Sequence, residues 1–151
     1  GSAFAEKYVS ANDLDVKDLS TNVTTEDGFV LHSTADKPIK IQANDAKASP
    51  STVGNETFTK RINLGGAGNL TSRSISIKAK AGETLKVYSK STADAERVVN
   101  ILNQDGEVVA SGPAVGRANA IGELKFKIPA AGEYYVVSKT SGINVFEVVL
   151  E

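Results

Sequence analysis

Hydrophobic and polar residues alternate in short runs along most of this chain, and turn residues break each run. Ile75, Ile77 and Ala79 alternate with Ser74, Ser76, Lys78 and Lys80; Leu85 and Val87 alternate with Lys86, Tyr88 and Lys90. Leu124, Phe126 and Ile128 alternate with Lys125 and Lys127, and Phe58, Ile62 and Leu64 mark one face of a run whose other face holds Thr59, Arg61 and Asn63. A period of two places one face of each run in a core and the other in water, which predicts β-strands. Further strands are predicted at Phe29 to His32, Ile39 to Ile41, Arg97 to Leu102, Glu107 to Ala110, Tyr134 to Lys139 and Ile143 to Leu150.

The connectors carry turn chemistry: Ala81-Gly82-Glu83, Gln104-Asp105-Gly106, Ala130-Ala131-Gly132 and Ser141-Gly142. The pair flanking Ala81-Gly82-Glu83 reads as the clearest hairpin. Gly65-Gly66-Ala67-Gly68 reads as a flexible connector, and Asn44 to Gly54 as loop. The one helix candidate, Ala11 to Leu19, is short and made of capping and β-leaning residues. The pattern predicts nine or ten strands in one all-β domain, an antiparallel β-sandwich of jelly-roll-like form. Residues 28–151 form this domain. Residues 1–27, polar and opening on a Gly1-Ser2 pair like a protease scar, read as a tag remnant and a leader or linker with room for a first strand.

Composition removes several chemistries. With no Cys there is no disulfide, thiol nucleophile or thiolate metal site. His32 is the only histidine and lies in a Val-Leu-His-Ser run with no nucleophile elbow, so no catalytic residue is assigned. The Gly-rich stretch at 65–68 lacks the Lys-Ser/Thr of a phosphate loop. Asp13, Asp15 and Asp18 resemble part of a calcium loop without its glycine and closing glutamate; they read as a solvated acidic leader, and no metal or cofactor is assigned. No dense basic stripe with interleaved aromatics suggests nucleic acid, and no apolar run suggests a membrane span.

Charge is uneven. Residues 1–56 carry −4 and residues 57–151 carry +3, together −1. The chain has no Trp, four Tyr and five Phe, a poor supply for an aromatic platform under neutral sugar rings. Its basic residues suit a carboxylated ligand better, because Lys and Arg hold carboxylates by charge-assisted hydrogen bonds. Arg61, Lys78, Lys80, Lys86, Lys90, Lys125 and Lys127 fall on polar faces by alternation, and Arg73, Arg97 and Lys139 fall at strand ends or beside loops.

From residue 58 to the end, the order of motifs is specific: Phe58-Thr59-Lys60-Arg61-Ile62-Asn63-Leu64-Gly65-Gly66, then Arg73-Ser74-Ile75, Ala81-Gly82-Glu83-Thr84-Leu85-Lys86-Val87-Tyr88-Ser89, Arg97, Ala131-Gly132-Glu133-Tyr134-Tyr135 and Ser138-Lys139-Thr140-Ser141-Gly142-Ile143-Asn144-Val145. This order resembles the pectin-binding carbohydrate-binding modules of family 77, which are attached to pectate lyases of gut and rumen bacteria. The resemblance implies a secreted, non-catalytic module that recognises homogalacturonan of low methyl esterification through basic side chains and targets an attached pectinolytic enzyme to plant cell walls. Carried over by position, it implies ligand-binding roles for Arg61, Arg73, Lys90, Arg97 and Lys139, with Ser141 and Asn144 either bonding sugar hydroxyls or shaping the last turn. The sequence leaves three alternatives open: a non-binding structural or adhesion β-sandwich of a secreted multidomain protein, a small polysaccharide lyase, and a calcium-dependent module using the Asp13 cluster.

Overall fold

The computed structural model describes residues 4–45 and 50–151. Among them are one 3-10 turn, Ala11–Asp13, and fifteen strands: β1 (Lys7–Ser10), β2 (Lys17–Leu19), β3 (Val23–Thr24), β4 (Val30–His32), β5 (Ile39–Ala43), β6 (Thr52–Val53), β7 (Glu56–Thr57), β8 (Lys60–Asn63), β9 (Ser74–Ala79), β10 (Thr84–Ser91), β11 (Arg97–Leu102), β12 (Val108–Ala114), β13 (Gly122–Lys127), β14 (Gly132–Ser138) and β15 (Ile143–Leu150). They form two antiparallel sheets. The first runs β13-β10-β15-β8-β5-β2, with β1 beside the far end of β15; the second runs β12-β11-β14-β9-β4-β3; β6 and β7 make a small separate hairpin.

The inward positions are those the alternation marks. Ile39, Ile41, Ile62, Leu85, Val87, Val145, Val148 and Leu150 of the first sheet meet Leu31, Ile75, Ile77, Val99, Ile101, Tyr134 and Val136 of the second. These side chains make one dry layer between two sheets, which is the β-sandwich the pattern predicts. No described helix is long and apolar enough to cross a membrane.

Connectivity differs from the sequence reading in one respect. β9 and β10 are not a hairpin: β9 pairs with β14 and β4, whereas β10 pairs with β13 and β15. The Lys80–Glu83 turn is an arch that carries the chain from one sheet to the other. Gly82 takes φ +93°, and buried Glu83 accepts the Lys80 amide at 2.7 Å. Inward–outward alternation is the same on either side of an arch and a hairpin, so it does not distinguish them. The β11–β12 pair is a hairpin as expected, closed around Asn103 to Glu107.

Two further features matter for the site. The polar stretch before Gly28 supplies β1, β2 and β3, each paired into one of the sheets. The Gly65–Gly68 connector is pinned rather than flexible: Gly66 bridges Ser141, Ala67 bridges Ser138, and the Gly68 amide donates to the Ser138 carbonyl at 3.2 Å.

Candidate functional site at one end of the sandwich

Three connections meet at the end of the sandwich where β8 leaves, β9 begins, β11 begins and β14 turns into β15. The 65–73 loop lies against the 138–142 turn through the bridges just described. The Lys139 amide donates to the Val98 carbonyl at 2.9 Å, joining that turn to the start of β11. Arg97 closes the group. Its Nη1 donates to Thr92 Oγ1 at 2.7 Å and to the Gly142 carbonyl at 2.5 Å, leaving Nε and Nη2 without a bond among the described residues. The fold thus draws Arg73, Arg97, Lys139 and Ser141 together from three separate stretches of chain, and Lys139 and Ser141 are exposed.

Arg73 is the most unusual residue of the group. It is the one described non-glycine residue with positive φ, at 53°. An L-residue there costs about 1–2 kcal/mol, and such strain concentrates at ligand sites. Its guanidinium lies over Gly65 and Gly66, close enough that a Cβ at Gly66 would stand 2.6 Å from Nη1. The Arg73 Nε is buried and makes no hydrogen bond. Arg73 is thus a half-buried cation, held in a strained backbone, with one buried donor left unpaired.

The remaining expected residues sit elsewhere. Arg61 and Asn144 are on the outer face of the first sheet. Arg61 donates to Gln42 Oε1 at 3.2 Å and to the Ala43 carbonyl at 3.0 Å and stands 4.0 Å from Asp45, so its fork is already engaged. Asn144 pairs in register with Lys90 on one side and Asn63 on the other; it is buried and its Oδ1 has no partner. Lys90 departs from the alternation reading, which put it on a wet face. It is 1% exposed, and its ammonium donates to the Pro50 carbonyl and, at 3.0 Å, to the Arg117 carbonyl. The reason is that chain segments around Pro50 and Arg117 cover the outer face of the sheet there, so both faces are dry. Burial pulls the Lys90 ammonium below its ordinary range.

The single histidine does not build a nucleophilic triad. His32 Nε2 is 2.7 Å from Ser76 Oγ, and Ser76 Oγ donates to Glu133 Oε2 at 2.8 Å. The hydroxyl therefore lies between base and acid, points at the carboxylate and is wholly buried, which is the wrong order and access for attack on a substrate. Among the described residues, no group of three or more acidic or His side chains is placed to hold a metal ion.

Glu147 lies on the outer face of the first sheet. Burial pushes the Glu147 carboxyl up to about 7, with Glu56, Glu6 and Asp13 adding repulsion. A raised folded pKa in an acid means that stability is fully present below the ordinary value near 4.5 and is lost as pH rises through about 7. Glu147→Gln is therefore expected to leave the melting temperature unchanged near pH 4 and to raise it by a few degrees at pH 8, for a gain of about 1–2 kcal/mol after solvent screening. Thermal melts of both proteins across that range check it, and equal shifts at both pH values would remove the electrostatic account.

Two antiparallel sheets packed over one core are a fold that this chain shares with a solved carbohydrate-binding module. The CBM36-1 domain of a multidomain xylanase from the hindgut metagenome of Trinervitermes trinervoides has this fold, with a TM-score of 0.50 at 12% identity over 97% of each chain. The tandem CBM51 modules of a family 98 glycoside hydrolase from Streptococcus pneumoniae SP3-BS71 match at 14% identity and a TM-score of 0.49, over 97% of this chain and 48% of that one. CBM51 from Clostridium perfringens GH95, in complex with methyl-galactose, matches at 12% identity and a TM-score of 0.44, over 96% of this chain and 100% of that one. No protein-family model matches the chain, and no curated protein sequence does.

Proposed function

We propose that this protein is a non-catalytic carbohydrate-binding module that recognises acidic pectin, homogalacturonan of low methyl esterification, and holds an attached pectinolytic enzyme at the plant cell wall. The family 77 resemblance in the sequence supports the ligand. The observation that carries the reading is the meeting of Arg73, Arg97 and Lys139 at one end of the sandwich, with Arg73 strained and its Nε unbonded. Galacturonate carboxylates would pair with these cations, and Ser141 at the rim would bond hydroxyls. Secretion by a bacterium and attachment to a lyase follow from the same reading.

Exposed ion pairs contribute roughly 0–1 kcal/mol each. Three of them with added hydrogen bonds give about −4 to −8 kcal/mol, a millimolar to micromolar affinity. That suffices for a tethered module, whose link to an enzyme raises local concentration. Calorimetry against polygalacturonate and highly methylated pectin, at low and high salt, tests the proposal. Binding is expected to the unesterified polymer alone, to weaken with salt, and to fall at least tenfold in Arg73→Ala/Arg97→Ala/Lys139→Ala. Equal binding to both polymers would overturn the charge-based mechanism, and binding to neither would leave a structural β-sandwich.

A further inference from the structure

β9 begins at Ser74, next to Arg73, and ends at Ala79, next to Lys80. Its six residues span about 20 Å at about 3.3 Å each, so Lys80 lies at the opposite end of the sandwich from the Arg73 group. Two adjoining clefts open there, of about 390 and 290 Å³, and both are lined by Lys7 and Lys78; the smaller also takes in Lys80 and Phe4. Lys7, Lys78 and Lys80 are all exposed, and among the described residues none of them enters an ion pair, unlike Lys40, Arg61, Lys86, Arg117 and Lys125, which each stand within 4.0 Å of a carboxylate.

The clefts hold three acids as well, and each is already engaged by the protein. Glu83 is buried and accepts the Lys80 amide. Glu133 accepts the Ser76 hydroxyl, and Asp27 accepts the Tyr8 amide at 3.0 Å. The carboxylates are thus buried or half-buried and turned to protein donors, whereas the three ammonium groups face solvent. The carboxylates equal the ammonium groups in number, so the groove is balanced in charge overall; they lie deeper, and the solvent side of the groove carries the positive groups. Lys7 lies in the stretch before Gly28, so the groove exists only because β1 docks beside β15.

We propose that the Lys7–Lys78–Lys80 groove is a second site for a carboxylated glycan, which makes the module bivalent. The choice of glycan rests on the acidic-pectin reading, although the groove is defined without it. Two sites at opposite ends of one rigid sandwich would hold two polysaccharide chains, or two parts of one, and a tethered enzyme would be retained by avidity where either site alone is weak.

Nuclear magnetic resonance titration with a short oligogalacturonate tests this on three proteins: the unaltered chain, Lys7→Ser/Lys78→Ser/Lys80→Ser, and Arg73→Ala/Arg97→Ala/Lys139→Ala. The substituted lysines are exposed, and thermal melts confirm that the fold is kept. The unaltered chain is expected to show two separate sets of shifting amides, one near Lys78 and one near Lys139, with each variant losing its own set and its affinity there at least tenfold. Polygalacturonate should also become turbid with the unaltered chain and clear with either variant. Shifts near Lys139 only would overturn the second site and leave the first standing. Shifts near Lys78 only would support the groove and remove the Arg73 group from the function. No shifts in any protein would overturn both.

Discussion

Phe146→Ala is expected to destabilise the protein by about 3–5 kcal/mol, lowering the melting temperature by roughly ten degrees or more at about 2–4 °C per kcal/mol. Phe146 is the extra residue of a bulge: the register of β10 against β15 passes from Tyr88↔Glu147 to Ser89↔Val145 and skips it. It therefore leaves the inward row, where Val145 and Val148 meet the core, and packs instead on Phe58 with ring centroids 5.5 Å apart. Both rings are fully buried, yet both stand outside the main core. Phe58 is held from behind, since its amide donates to the Ser51 carbonyl at 2.8 Å and its carbonyl accepts from Asn44 Nδ2 at 2.7 Å. The pair fastens the β6–β7 hairpin over the outer face of the first sheet, and with it the cover on Lys90. Truncation should open a cavity there and expose the 50–57 segment to protease while the main core stays folded. Chemical denaturation with limited proteolysis reads both effects, and a loss below about 1 kcal/mol would show that the loop is held by its hydrogen bonds instead.

That cluster also marks where the sequence stops being informative. Alternation identified the strands of the core because a half-buried strand must alternate, and β10 and β13 show it plainly, whereas β9 alternates in sequence but is buried on both faces at Ser74 and Ser76. It predicted one dry face for the 58–64 run, but a bend at Thr59 sends Phe58 to the opposite side from Ile62 and Leu64. It could not see that the far end of β10 is covered on both faces, so Lys90 read as wet when it is buried. Strands of two or three residues, such as β2, β3, β6 and β7, are too short to show any period. The Arg73, Arg97 and Lys139 positions carry no local sign of belonging together; long-range contacts gather them, the bridges from Gly66 to Ser141 and from Ala67 to Ser138 and the bonds from Lys139 to Val98 and from Arg97 to Gly142. Lys7 was hidden for a different reason. A polar leader and a docked edge strand have similar compositions, and pairing with β15 is a long-range event.

Two alanine substitutions two residues apart in the 65–73 loop should separate ligand binding from stability. At Gly68 a Cβ would fall 2.2 Å from the Arg73 carbonyl oxygen and 3.0 Å from Val137 Cβ and Cγ1. Backbone and a β-branched side chain on a central strand cannot yield, so the loop must lift from β14. The expected cost is about 3 kcal/mol, or roughly ten degrees in melting temperature. At Gly66 the nearest group is the guanidinium of Arg73, at 2.6 Å to Nη1 and 3.3 Å to Cζ. The far end of a long side chain can swing aside, so Gly66→Ala should cost less than about 1 kcal/mol of stability. It evicts Arg73 from its bed, however, and should reduce polygalacturonate binding about as much as Arg73→Ala does. The Arg73 Nε–H resonance would shift in Gly66→Ala while the rest of the spectrum stayed in place. If Gly66→Ala bound the polymer normally despite that shift, the bed under Arg73 would be packing alone, and Arg97 and Lys139 would have to carry the ligand without it.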